Sequence, residues 1–113
     1  MDQILHDAIA AVIPATFATV APPNSPLPYA IWQRIGGDPG EYLDNEPPQV
    51  EHALVQVTVF GLDTASIKLL VHQLTAALRE HDYLIVSPDG GFRDDYDSDM
   101  ELFSAAQDYN VRW

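Results

Sequence analysis

"VEHALVQVTVF", residues 50–60, runs directly into "GLDTASIKLLVHQLTAALRE", residues 61–80, and the hydrophobic period changes at the junction. In the first stretch Ala53, Val55, Val57 and Val59 share one side, while His52, Leu54, Gln56, Thr58 and Phe60 share the other. That period of two predicts a strand whose valine side lines a core and whose other side is more polar or faces a partner. Gly61 breaks the strand and Asp63 is placed to cap the next element. Ile67, Leu70, Val71, Leu74, Ala77 and Leu78 then recur at i, i+3, i+4 and i+7, which predicts a helix over 64–80.

Working outward, Ile4, Leu5, Ala8, Ile9 and Val12 predict a first helix over 3–13, with Asp2 as its cap and Pro14 discouraging continuation. "APPNSPLP", residues 21–28, reads as an extended arm or loop, because its prolines and the residues before them avoid the helical region. Its Pro23-x-x-Pro26 reads either as a spacer or as a ligand for a proline-recognition domain. "YAIWQRI", residues 29–35, suits a strand, and 36–49 is turn chemistry throughout. Beyond the second helix, "YLIVS" at 83–87 predicts a short strand, "PDGG" at 88–91 a turn, and 92–96 a further short strand. From Leu102 to Trp113 alternation returns, with Phe103, Ala105, Gln107, Tyr109, Val111 and Trp113 on one side of a long final strand.

These elements predict an α+β class in the order α-β-β-α-β-(β)-β. A mixed, largely antiparallel sheet of four to five strands would carry two helices on one face. Two helices with one apolar stripe each cover one face of such a sheet, which leaves the other to solvent or to a neighbouring subunit. At 113 residues the expectation is a single domain over 1–113, with the arm at 21–28 and loops at 36–49 and 88–100.

Seventeen acidic against five basic side chains give a net charge of -12, which repels phosphate backbones instead of attracting them. Specific nucleic-acid binding is not expected; a basic partner, or a channel through which DNA passes without adhering, is compatible. Cysteine is absent, which removes disulfides, thiolate metal sites and a cysteine nucleophile. Asp2 and Asp7 stand where a leader would be basic, and the apolar run Ala8 to Ile13 is too short to span a bilayer. The reading is a soluble, unexported protein with no membrane partner.

"DDYDSDMEL", residues 94–102, places Asp95, Asp97 and Asp99 at alternate positions, the way a calcium-binding loop opens. Such a loop needs Gly at its sixth position and Glu at its twelfth; counted from Asp95 these are Met100 and Ala106. The stretch therefore reads as an acidic turn between strands, with Asp94, Asp95, Asp97, Asp99 and Glu101 as candidate contacts for a basic partner patch. His6, His52, His72 and His81 fall on separate elements without metal-ligand spacing, and His81 is placed to help end the second helix at its last carbonyls. No serine sits in a nucleophile elbow, and the glycine pairs at 36–37 and 90–91 precede acidic residues and strands, so no phosphate cradle is expected. Catalytic residues, cofactors and metals are accordingly not assigned. Trp113, in an apolar register at the end of the final strand, either tucks inward or is offered to another molecule.

With the elements placed, the chain resembles the tail completion, or head-to-tail joining, family of tailed bacteriophages and prophages, which is related in fold to the tail terminators. The resemblance runs from Pro28 to Trp113. It rests on "PYAIWQRIGG" as first strand, "EHALVQVTVFGLDTASIKLLVHQLTAALRE" as strand, break and amphipathic helix, and "YDSDMELFSAAQDYNVRW" as acidic turn and aromatic-rich final strand. The family's final strand more often has an aromatic-plus-Arg pair where this chain reads Phe103-Ser104.

The resemblance implies a structural, non-enzymatic protein that forms a homo-hexameric ring at the head-proximal end of the tail. Such a ring ends growth of the tail tube and meets the head connector or neck protein, with DNA passing through it. It implies residence in the virion tail or neck, and in the bacterial host cytoplasm during assembly. Loops 36–49 and 88–100 are then expected to order on docking. Two other classes fit the residues: an acidic inhibitor or nucleic-acid mimic that binds a basic partner, and a metal-dependent hydrolase using the 94–101 carboxylates.

Overall fold

The change of period at Gly61 is realised as a strand that turns into a helix lying across its own sheet. A computed structural model describes residues 2–37 and 52–113. Its elements are α1 (Asp2–Val12), β1 (Thr16–Ala18), β2 (Tyr29–Gly37), β3 (His52–Gly61), α2 (Thr64–Arg79), β4 (Ile85–Asp97) and β5 (Leu102–Arg112). The five strands form one sheet in the order β1-β2-β3-β5-β4. β1 pairs in parallel with β2, and every other pairing is antiparallel. The expected α+β class, with a mixed and largely antiparallel sheet, is the one observed.

Both helices lie on the same face. Leu5 and Ile9 of α1 and Ile67, Val71, Leu74 and Leu78 of α2 are buried against Val55, Val57, Val59, Tyr109 and Val111 of the sheet. A fully buried side chain of this size stabilises by about 1.5–3 kcal/mol, so the valine side of β3 and the stripe of α2 together form the main adhesive between the layers. β3 alternates without a break between half-buried and buried residues along its whole length. The uncovered side thus carries Leu54, Gln56, Thr58 and Phe60. Asp63 caps α2 as expected: its Oδ1 accepts the Ser66 backbone N–H at 2.8 Å and its Oδ2 the Ser66 hydroxyl at 2.7 Å.

Four expectations need correction. Asp2 lies inside α1 and its carboxylate binds Arg34, so it is not that helix's cap. Thr16–Ala18 adds a short edge strand ahead of the first one expected. Residues 88–91 are not a turn, and 88–100 is not a loop: β4 runs continuously to Asp97, with a bulge in place of the turn. Asp89 pairs with Asp108 and Arg93 with Ala106, so four steps along β4 match two along β5. The slack is taken up at Gly90, whose φ of 76° is open to glycine. Gln107, 93 % buried by its 7 % exposure, donates from Nε2 to the Gly90 carbonyl at 3.0 Å, which satisfies a buried amide inside the bulge. Finally, His81 meets the last carbonyls of α2 through its backbone N–H, which donates to the Leu78 carbonyl at 3.3 Å, and not through its ring, whose Nδ1 accepts the Tyr83 N–H at 3.1 Å. Of the loop expected at 36–49, Gly36 and Gly37 belong to β2, and 38–49 lie outside the described residues.

Candidate functional site

Two ends of the sheet hold the residues singled out from the sequence, and they lie at opposite ends of β5. At one end β4 and β5 join through a tight turn at 98–101. Asp97 Oδ1 organises it by accepting the backbone N–H groups of Asp99 at 2.9 Å and Met100 at 3.1 Å, and Glu101 closes it in the left-handed region with φ 55°. Tyr96 and Phe103 pack across the hairpin with ring centroids 4.8 Å apart.

The acidic cluster is divided by the strand's alternation. Asp94 points to the helix side and pairs with Lys68 at 3.3 Å. Asp95 accepts the N–H of its neighbour Tyr96 at 2.8 Å. Asp99 and Glu101 are exposed, and no side-chain partner meets them among the described residues. Only 98–101 form the turn, so Asp94, Asp95 and Asp97 are strand residues and not turn residues. Among the described residues no three His, Asp or Glu side chains converge to hold a metal ion.

The proline-rich arm folds back beside this hairpin. Pro22, Pro23, Leu27, Tyr29, Met100 and Leu102 line an apolar cleft of about 400 Å3 between them. Tyr29 stacks on Phe60 at 4.9 Å and meets Phe17 edge-on at 6.5 Å. Burial raises its hydroxyl above the ordinary tyrosine value, and the Asp97 charge adds to the shift.

At the other end, Trp113 is half-buried against the core with the Arg34 guanidinium over its ring at 5.3 Å, and Arg34 also binds Asp2 at 2.5 Å. One arginine thereby ties the chain's final residue to the start of α1. Nearby, the Trp32 indole N–H donates to His6 Nδ1 at 2.9 Å, and His52 Nε2 lies 2.9 Å from Asn110 Oδ1.

Over residues 5–113 the sequence matches the family described as Tail completion protein gp17. The chain belongs to that family. It is therefore a phage tail structural protein by family. Among solved structures, a chain of the one described as "Virion of native gene transfer agent (GTA) particle" has the same fold, with a TM-score of 0.63 at 14% identity over 92% of this chain and 82% of that one. Comparison with curated proteins gives no match.

The tail completion family member has a feature that reading of single residues does not single out. The helix-free side of the sheet is a continuous surface of half-buried residues across β2, β3 and β5, including Ile31, Gln33, Gln56, Thr58, Ala106 and Asn110. Its one carboxylate, Asp108, is bound by Arg93, whose Nη2 lies 3.0 Å from Oδ1. Period-two alternation announces such a face, but which strands stand side by side depends on sheet order. No local signal gives that order.

Proposed function

We propose that this protein forms a six-membered ring at the head-proximal end of a phage tail, where it ends growth of the tail tube and joins the tail to the head connector. The match to the tail completion family over nearly the whole chain carries this reading. It is supported by a sheet with one face left uncovered by the described residues, which suits a subunit of a larger assembly. A charge of -12 per copy supports it too, since it would let DNA pass through the ring without adhering. The work is done by surface contact and not by catalysis, in the host cytoplasm during assembly and then in the virion. The exposed carboxylates of the β4–β5 hairpin and Trp113 are proposed contacts at opposite ends of the subunit. Co-sedimentation of the purified chain with tail tubes or neck protein tests this reading. Strictly monomeric behaviour together with failure to associate with either would contradict it.

A second reading is favoured by one observation: Asp99 and Glu101 are exposed at the hairpin tip, and among the described residues no cation lies beside them. On that reading the protein is an acidic inhibitor that occupies a basic partner's groove. Neutralising Asp95, Asp97 and Asp99 together would then abolish salt-sensitive binding to the basic partner, and unchanged affinity excludes it.

A further inference from the structure

A ring needs each copy to meet its two neighbours through two different patches, and copies bearing -12 each repel one another over most of their surface. Two patches escape this, and they lie on opposite sides of the two-layer fold. The first is the part of the helix-free sheet face formed by β2, β3 and β5, where Gln33, Gln56, Thr58, Ala106 and Asn110 are uncharged and Asp108 is already bound by Arg93; the other carboxylates of that side, Asp89, Asp95 and Asp97, stand on the edge strand β4. The second is the outer side of α2. From Thr64 to Arg79 that helix contains no carboxylate, and it carries Lys68 and Arg79 in a chain with only five basic residues. Its solvent side exposes Gln73 and Ala76, together with Leu69 at 58 % exposure and, just before the helix, Leu62 at 71 %.

We propose that the sheet face of one copy packs on the outer side of α2 of the next. The inference rests on the ring reading above and assigns its subunit contact. Leu62 and Leu69 gain a place out of water without an unpaired carboxylate being desolvated. The side-chain amides of Gln33, Gln56 and Gln73 each donate and accept, so they pair across the contact without opposite charges. Because α2 packs on the inner side of the sheet, its outer side and the uncovered sheet face look in opposite directions. A contact between them is head-to-tail; it repeats from copy to copy and closes when the rotation allows, as a ring does.

The cysteine-free sequence makes the test direct. Thr58→Cys marks the sheet face and Leu69→Cys marks α2, both at positions outside the core, and a short bis-maleimide linker is applied to the chain bound to tail tubes and alone at high concentration. The double variant is expected to give a ladder of multimers. A mixture of the two single variants is expected to stop at dimers, and neither single variant alone should cross-link. Dimers from one single variant would overturn the proposal, because they report a face meeting itself. Assembled oligomers by light scattering with no cross-link in any variant would overturn this contact and leave the ring reading standing. Absence of assembly in both conditions would remove both.

Discussion

The Tyr109 hydroxyl lies 2.7 Å from Thr75 Oγ1, and Thr75 in turn gives its own proton to the Val71 carbonyl at 2.9 Å. Tyr109 must therefore be the donor. This short chain is a polar link between β5 and α2 inside an otherwise apolar layer, and it makes the two partners unequal. Tyr109→Phe removes a donor and leaves Thr75 bonded to Val71, for an expected loss of about 0.5–1.5 kcal/mol. Thr75→Val leaves the hydroxyl of the 1 % exposed Tyr109 without an acceptor, for an expected loss of about 1–3 kcal/mol. Urea denaturation of the two variants checks the order.

The same tyrosine sets an alkaline limit. Burial raises Tyr109 above its ordinary value of 10.0. A raised folded-state value means that the neutral form is favoured in the fold, so this contribution is complete below the unfolded value. It is lost as pH rises toward and through the folded one. Tyr29 is raised as well and has the same sign. Stability is expected to fall above about pH 10, and the fall should be shallower in Tyr109→Phe. A fall equally steep in that variant would assign it elsewhere.

The cap of α2 acts at the acid end. Hydrogen bonds from Ser66 hold the Asp63 carboxyl below its ordinary value of 3.8, so its contribution is present above the unfolded value and lost as pH falls through the folded one. Asp63→Ala should lower the melting temperature at neutral pH and flatten the stability profile in the acid range, while Asp63→Ser should retain most of the neutral-pH stability.

At the junction of β3 and α2, a Cβ added to Gly61 would sit 2.5 Å from Ile67 Cγ2. Ile67 is 1 % exposed and packed in the core, so it can yield only by displacing its neighbours. Gly61→Ala should destabilise by about 1–3 kcal/mol through overpacking, and pairing it with Ile67→Val should recover part of that loss. Thermal unfolding of the single and double variants decides.

The parts of the fold legible in the sequence are those where one local period runs undisturbed. Ala53 to Val59 and Ile67 to Leu78 gave strand and helix with their buried sides, and β5 gave its own inward set at Ala105, Gln107, Tyr109 and Val111. Pro88 to Gly91 has turn composition and so reads as a break in β4; that composition serves a bulge, whose freed carbonyl finds Gln107 only through pairing with β5. β1 is three residues long and gains its place from parallel pairing with β2, so it has no period to read. Of the site, the carboxylates at 94–101 are legible, but their separation into a Lys68 partner, a turn organiser and exposed groups follows from the strand register. The tie of Trp113 to Asp2 through Arg34 joins residues far apart in sequence and is visible only once the sheet has formed.

Electron microscopy of tail tubes assembled with and without this protein tests the central claim most directly. The account predicts a ring of density at one end of each tube, and tubes of limited length when the protein is present. Bare ends and unchanged tube lengths at saturating protein would contradict it.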